Sequence, residues 1–406
     1  MHPQAPLCPA AATTPRRPGA TCLDIVSRLV AFDTVSRHSN LPLVHWVRDY
    51  LDAFGIESHL GLDASGRKAN LFASLGPRAP GGLVLSGHTD TVPVDGQAWQ
   101  SAPFEAVERA GRLYGRGTVD MKGFIGACLA AVPRLLAADL AMPVHLALTF
   151  DEETSMLGVR QLVADLRDRG LAPQGCVIGE PTELRAVVGH KGRRHVRCQV
   201  RGRAAHSSLA LDGVNAIEYA AEIVAYVRQL GDRLAQQEAR HAGYAIPHTT
   251  VQTTTIAGGL SANTVPEHCS FDFEFRHLPW TDAAALEEQV RAFALQQVLP
   301  RMRSRWPDGD IRFDTESALP AFEAGPGSDA AAGVAWLLGR MRRAGRQDGE
   351  PGYVGFGTEA SWFQHAGIPT LVCGPGAIEQ AHKPDEFITL DQLARCEDFI
   401  DQLAGL

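Results

Sequence analysis

A chain of 406 residues, 45% apolar and 21% charged, has the composition of a soluble globular protein and the length for two domains. Its formal net charge of −8 argues against nucleic-acid binding, which needs clustered Lys and Arg, and no apolar run reaches the roughly 18 residues that span a bilayer. Eight scattered cysteines without a CxxC pair exclude a disulfide framework and a thiolate zinc site, and they fit a reducing cytoplasm.

Residues 1–20 contain scattered prolines and no continuous apolar segment, so they read as a disordered leader rather than a secretion signal. Helical periodicity then covers residues 23–32, 41–55, 121–138 and 157–170. Between these helices, short apolar strands fall at 70–75, 83–87, 144–150 and 176–179. Uniformly apolar strands between helices predict an α/β sheet covered on both faces. The pattern changes after about residue 192. A half-exposed strand at 195–202, a helix at 215–234, strands at 249–256 and 271–276, a helix at 283–298 and a strand at 311–315 follow. That β-α-β-β-α-β order is ferredoxin-like. The α/β pattern then resumes with a helix at 328–343, a strand at 370–373 and a helix at 390–403. The expected architecture is a large α/β domain, residues 21–192 and 318–406, split by a smaller inserted domain, residues 193–317.

Five segments carry imidazoles or carboxylates just beyond predicted strands or at a helix start. These are His88 and Asp90 in SGHTD, Asp120 in RGTVDMKG, Glu152 and Glu153 in FDEET, Glu180 in IGEPT, and His382 in AHKPDEF. Ligands of open α/β sheets bind beyond the carboxyl ends of the strands, so these groups converge on one crevice. Each has a structural reading alone: a hydrogen-bonded histidine, a solvated glutamate pair, a turn aspartate, a strand-ending glutamate. Jointly they form a cluster of carboxylates that would repel one another without cations. Two divalent ions bring four positive charges, which Asp120, Glu153, Glu180 and one hydroxide neutralise. Mixed imidazole and carboxylate donors suit zinc, with cobalt or manganese able to substitute. Glu152 then remains beside the site as a general base. Asp90 is placed to accept the second N–H of His88.

The strings GHTDTVP (87–93), GRGTVDMKG (115–123), DEE (151–153), GEPT (179–182), HSS (206–208) and AHKPDEF (381–387) together resemble the dizinc deacylase and exopeptidase family. The resemblance runs from about Leu23 to the C-terminus. It implies that His88 and Glu180 hold one ion, Glu153 and His382 the other, and that Asp120 bridges them. It further implies amide hydrolysis by a hydroxide held at the ions, with Glu152 as base and then acid. The inserted domain becomes a lid and dimerisation domain, and the family's lid histidine, which reaches the partner subunit's active site, matches His206. There it would stabilise the oxyanion, though a turn histidine beside two serines reads the same.

Within the family, GHKGRRH (189–195), GTEASWF (357–363) and CGPGAIEQAHKPDEF (373–387) resemble the branch that deacetylates N-acetyl-L-ornithine in arginine biosynthesis. Glu359 would suit a substrate with a free side-chain amine and oppose a succinyl carboxylate. Alternatively it faces solvent or pairs with a base. Arg276 (FRHLP), Asn263 (SANTVP) and Arg193 resemble positions that contact substrate, an arginine suiting the α-carboxylate. Each also reads as a strand-surface or turn residue. The expected partner is a small acylated amino acid. The remaining readings are a desuccinylase, an aminoacylase or dipeptidase, and a non-catalytic acyl-amino-acid binding protein.

Overall fold

The computed structural model describes residues 16–325, 327, 330–343 and 350–406. Most of the expected leader, residues 1–15, lies outside the described residues. Its last residues are not a disordered tail. The Arg16 N–H donates to Asp391 Oδ1 at 3.1 Å, the Arg17 guanidinium forks onto Glu108 at 2.6 and 2.8 Å, and the Gly19 N–H donates to Glu397 at 2.8 Å. Charged anchors supplied from far along the chain are the reason that composition alone misses.

Helices α1 (Ala20–Val30) and α2 (Leu41–Asp52) precede strands β1 (Ser58–Leu62), β2 (Ala69–Leu75) and β3 (Leu83–His88). Then come α3 (Lys122–Ala137), β4 (Val144–Thr149), α4 (Leu157–Asp168), β5 (Gly175–Pro181) and β6 (Val187–His190). The next stretch holds β7 (Gly192–Arg201), α5 (Ala216–Gln237), β8 (Thr250–Gly258), β9 (His268–His277), α6 (Ala283–Phe293) and β10 (Asp310–Leu319). Helices α7 (Ala331–Arg343) and α8 (Ala360–His365), strand β11 (Thr370–Gly374) and α9 (Leu390–Ala404) complete the chain.

Two compact units result. The first comprises the chain up to Gly189, Glu323–Tyr353 and Thr358–Leu406, and the second His190–Phe322 with Val354–Gly357. The insert therefore extends a few residues beyond 193–317, because its ladder continues to the pairs His277↔Gly192 and Leu319↔Arg193. Val354 joins it by accepting the Lys191 N–H at 3.3 Å.

In the first unit the sheet runs β1-β2-β4-β3-β5-β11-β6, and its inner strands β4, β3, β5 and β11 are parallel. Every residue of these four strands is buried, as a sheet covered on both faces requires. Helix α3 packs close because two glycines make room. A β-carbon at Gly126 would meet Val26 at 2.3 Å, and one at Gly179 would meet the Phe124 ring at 2.1 Å. Burial of Phe124 alone is worth about 1.5–3 kcal/mol. This packing fixes the N-terminus of α3, where Asp120 sits. The edge strand β1 was not anticipated; its Gly61 and half-exposed positions hide it from an apolar-run reading. The seven described cysteines are all buried, and among the described residues no helix is long and apolar enough to cross a membrane.

The second unit is an antiparallel sheet, β8-β9-β7-β10, with the expected β-α-β-β-α-β order. Alternation puts Val196, Cys198 and Val200 into a core with Phe271, Phe273, Phe275, Ile223 and Val227, while Arg197, Gln199 and Arg201 face outward. Asn215 caps α5 through the N–H groups of Ile217 and Glu218, and Asp282 caps α6 through Ala284 and Ala285.

Candidate metal centre

His88 closes β3, Glu152 and Glu153 follow β4, Glu180 lies near the end of β5, and His382 follows β11. Because these strands are parallel neighbours, their carboxyl ends deliver the side chains to one place. Asp120 enters from the turn before α3. His88 Nε2 lies 2.8 Å from Asp120 Oδ1 and 3.8 Å from Glu180 Oε1. His382 Nε2 lies 3.2 Å from Asp120 Oδ2 and 3.1 Å from Glu153 Oε1. Asp120 thus stands between the two imidazoles, one oxygen toward each. Ligand atoms of His88, Glu152 and Glu180 fall within 4.8 Å of one another, and so do those of His88, Asp120 and Glu153.

The electrostatics show what such a cluster needs. Burial first, and then Glu180, push Glu152 well above the usual carboxylate range. Burial and Asp120 do the same to Glu180, and they bring Glu153 up to about 7. Burial opposes ionisation of Asp120, but hydrogen bonds from His382 and His88 hold it low. Burial likewise opposes the charged form of His88, yet Asp120 raises it well above the ordinary value. Hydrogen bonds to Asp120 and Glu153 take His382 to about 10. Protons therefore stand in for positive charge throughout. Two imidazoles and a set of carboxylates competing for those protons are the donor set of a divalent-metal site, and the residues fit one.

This proton inventory has a measurable consequence. Glu153 holds its proton up to about 7 when folded against 4.5 as an ordinary glutamate, and His382 up to about 10 against 6.5. The folded metal-free protein then binds more protons than the unfolded chain across this range, so its stability falls as pH rises. Glu153 contributes the lower part of that fall and His382 the upper. The thermal midpoint of chelated protein should decline from about pH 5 to about pH 9 more steeply than that of metal-loaded protein, since bound metal replaces the protons. Equal slopes would count against these residues as ligands.

Asp90 plays a different part from the one its spacing suggests. The acceptor for His88 Nδ1 is the Asp90 main-chain carbonyl at 3.0 Å, whereas the carboxylate is 3.7 Å away. That carboxylate instead accepts the N–H groups of Glu152 and Glu153 at 3.1 and 3.3 Å and the Ser36 hydroxyl at 2.6 Å. Asp90 holds the glutamate turn, and the short strand-to-loop geometry turns its carbonyl back onto the imidazole. Ser36 has no signal in the sequence, since it lies in a linker far from every motif. Lys68 anchors the same turn through Asp151, which adopts a left-handed φ of 59°.

The first unit also holds Glu359, 1% exposed. It does not face solvent, and among the described residues it pairs with no base. Its carboxylate oxygens make no well-formed hydrogen bond among the described residues, and burial, offset partly by the Thr149 hydroxyl, pushes it up to about 7.

His206, Asn263, Arg193 and Arg276 lie in the second unit. His206 and Asn263 are neighbours there: the Ser207 N–H donates to the Asn263 carbonyl at 2.9 Å. His206 is exposed, and its Nδ1 accepts the Ser208 N–H at 3.2 Å, which leaves the proton on Nε2 as an outward donor. Arg193 and Arg276 share one partner: their Nε atoms donate to the two oxygens of Glu274 at 2.7 and 2.6 Å. Their terminal amino groups make no other hydrogen bond among the described residues.

Residues 84–405 match the family described as Peptidase family M20/M25/M40. The chain belongs to that family. This M20 chain is 35% identical over 391 residues to acetylornithine deacetylase of Pasteurella multocida, covering 94% of this chain and 97% of the relative. It is 36% identical over 377 residues to acetylornithine deacetylase of Vibrio parahaemolyticus, covering 91% and 94%. Among solved structures it resembles the M20 family metallo-carboxypeptidase Sso-CP2 of Sulfolobus solfataricus, with TM-score 0.73, 18% identity, and coverage of 94% and 98%. The aminopeptidase PepT of Bacillus cereus superposes with TM-score 0.72 at 20% identity, covering 95% and 98%. The M20 chain is accordingly a metal-dependent amidohydrolase with an α/β catalytic unit and an inserted ferredoxin-like unit.

Proposed function

We propose that this M20 chain hydrolyses N-acetyl-L-ornithine to L-ornithine and acetate, in the cytoplasm and as a step of arginine biosynthesis. The observation that carries the chemistry is Glu152. It is buried, its main chain is pinned by Asp90, and its carboxylate makes no hydrogen bond to His88 or His382 although a ligand atom lies within reach of His88 and Glu180. The substrate rests on the similarity to acetylornithine deacetylases over more than nine-tenths of the chain.

His88 and Glu180 would hold one ion, Glu153 and His382 the other, and Asp120 both. Bound zinc or cobalt would polarise the amide carbonyl and acidify a water molecule. Glu152 takes the proton from that water as its oxygen bonds to the carbonyl carbon. It then delivers the proton to the departing nitrogen as the C–N bond breaks. Asp90 keeps the glutamate turn in place during both transfers. His206 would offer its Nε2–H to the oxyanion in the site of a second copy. Arg276 and Arg193, braced by Glu274, and Asn263 would receive the substrate's α-carboxylate end. Glu359 would favour a cationic side chain through its field rather than by contact.

A homodimer through the second unit is part of this reading. Strand β8 is an edge strand, and Ile256 on it is exposed, as are Leu260 just after it and Leu209 and Leu211 in the segment between β7 and α5. An unpaired edge without Lys or Pro beside exposed apolar side chains suits pairing with a second copy. Light scattering after gel filtration should return twice the chain mass at micromolar concentration; a monomer would remove the role given to His206.

The assay compares amine release from N-acetyl-L-ornithine and N-succinyl-LL-diaminopimelate, with zinc or cobalt and then with chelator. Faster hydrolysis of acetylornithine, lost on chelation, is the expected result. Preference for the succinyl substrate, or for acyl amino acids and dipeptides in a wider panel, would move the assignment to another branch of the family.

A further inference from the structure

The loops that carry Asp120 and His382 are joined by a buried ion pair that the chemistry above leaves without a role. Arg116 and Glu386 are each 1% exposed, and Arg116 Nη1 lies 2.7 Å from Glu386 Oε2. The other oxygen of Glu386 accepts two successive main-chain N–H groups, Val119 at 2.9 Å and Asp120 at 3.2 Å. Glu386 thereby grips the backbone of Asp120 itself. Arg116 reaches the opposite way. Its Nη1 also donates to the Lys383 carbonyl at 3.3 Å, and its Nη2 donates to Gln97 Oε1 at 2.6 Å and to the Pro93 carbonyl at 3.4 Å. Gln97 in turn donates its Nε2–H to the His382 carbonyl at 3.0 Å. The Trp99 ring lies against the guanidinium, and its Nε1–H donates to Gln97 Oε1 at 3.1 Å. A continuous path of hydrogen bonds therefore runs from the main chain of Asp120 to the main chain of His382.

Stability alone does not account for the pair. Taking two charges out of water costs more than most buried pairs return, and here Arg116 Nε is left buried with no partner among the described residues. Position does account for it. His88 and Glu180 sit on strands inside the sheet, where the ladder holds them. His382 follows β11 in a loop, in a left-handed conformation with φ of 63°, and has no ladder to fix it. We propose that Arg116, Glu386 and Gln97 form a positioning unit that sets the separation of Asp120 and His382, and so the affinity for the ion these two residues share. This inference rests on the two-ion reading given above.

The test is a stepwise zinc titration of metal-free full-length protein against a chromophoric chelator, paired with thermal melts of the metal-free form. The variants are Glu386→Gln, which keeps size and one acceptor, and Gln97→Ala, which cuts the path at its half-buried end. Wild-type protein should bind two equivalents. Both variants should keep the first step at wild-type affinity and weaken the second by about 10–100-fold, the range seen when a group supporting a metal ligand is removed. Their metal-free melting temperatures should stay near that of the wild type. If Glu386→Gln does not fold, Gln97→Ala carries the test alone. Wild-type affinity at both steps in the variants that fold overturns the proposal, as does a loss of both steps in proportion to a lowered melting temperature. A wild-type protein that binds a single ion overturns the two-ion reading and this inference with it.

Discussion

Glu152→Gln should bind two metal ions as the wild type does and turn over substrate about 10²–10⁴-fold more slowly, with KM little changed. The size follows from what the residue does and does not touch. Its side chain contributes no hydrogen bond to either imidazole, so His88 and His382 keep their partners. The substituted side chain occupies the same buried space, and its main-chain N–H still reaches Asp90. What disappears is the ability to take a proton from water and return it to the leaving amine. Steady-state kinetics with metal analysis of the same sample checks this. Full activity in the variant would remove the base assignment.

Asp120→Ala should fail at an earlier stage, losing metal rather than rate alone. Among the described residues Asp120 is the one carboxylate hydrogen-bonded to both imidazoles, one oxygen to each. Its removal should weaken both ions by more than the 10–100-fold typical of a group that merely supports a ligand. His382→Ala, by contrast, should release about one equivalent and keep the other. Metal content measured after gel filtration separates the two cases. A variant of Asp120 that keeps both ions would show that the aspartate does not bridge.

The contrast between these residues and others shows what the amino-acid order alone can convey. Most of the candidate ligands are legible because His88, Glu152, Glu153 and Glu180 sit at strand ends and Asp120 at a helix start, with His382 in the loop after β11, and strand ends in a parallel sheet are neighbours whatever the distance along the chain. The inserted unit is legible because apolar and polar residues alternate in β7, ahead of one capped amphipathic helix, and in β8 and β9, between that helix and a second. Partnerships across the chain are another matter. The carboxylate of Asp90 lies two residues from His88 but serves the main chain of Glu152 and Glu153, sixty residues on. Arg193 and Arg276 become neighbours only when β7 pairs with β9 and places Glu274 between them. Glu359 is buried by the packing of α8 on the sheet, and no periodicity announces it. Arg116 and Glu386 both lie within motifs quoted for other residues, and only the fold reveals that they meet. Short-range pattern finds where groups emerge from the scaffold; the identity of their hydrogen-bond partners depends on the closed structure.

The chain order of the first unit carries a further consequence, for the living ribosome. Strand β11 lies between β5 and β6 in the sheet, yet nearly two hundred residues separate it from β5 along the chain. The second unit, by contrast, is almost one uninterrupted stretch. At about 5–20 residues per second, roughly 10–40 s pass between the synthesis of Glu180 and that of His382. During that interval the second unit is completed, its last segment ending at Gly357, while the first unit waits for strand β11 and then for His382. The growing chain therefore contains Asp120, Glu152, Glu153, Glu180 and His88 before the segment that carries His382 exists. Any ion that needs His382 as a ligand can be bound fully only after that segment has been made.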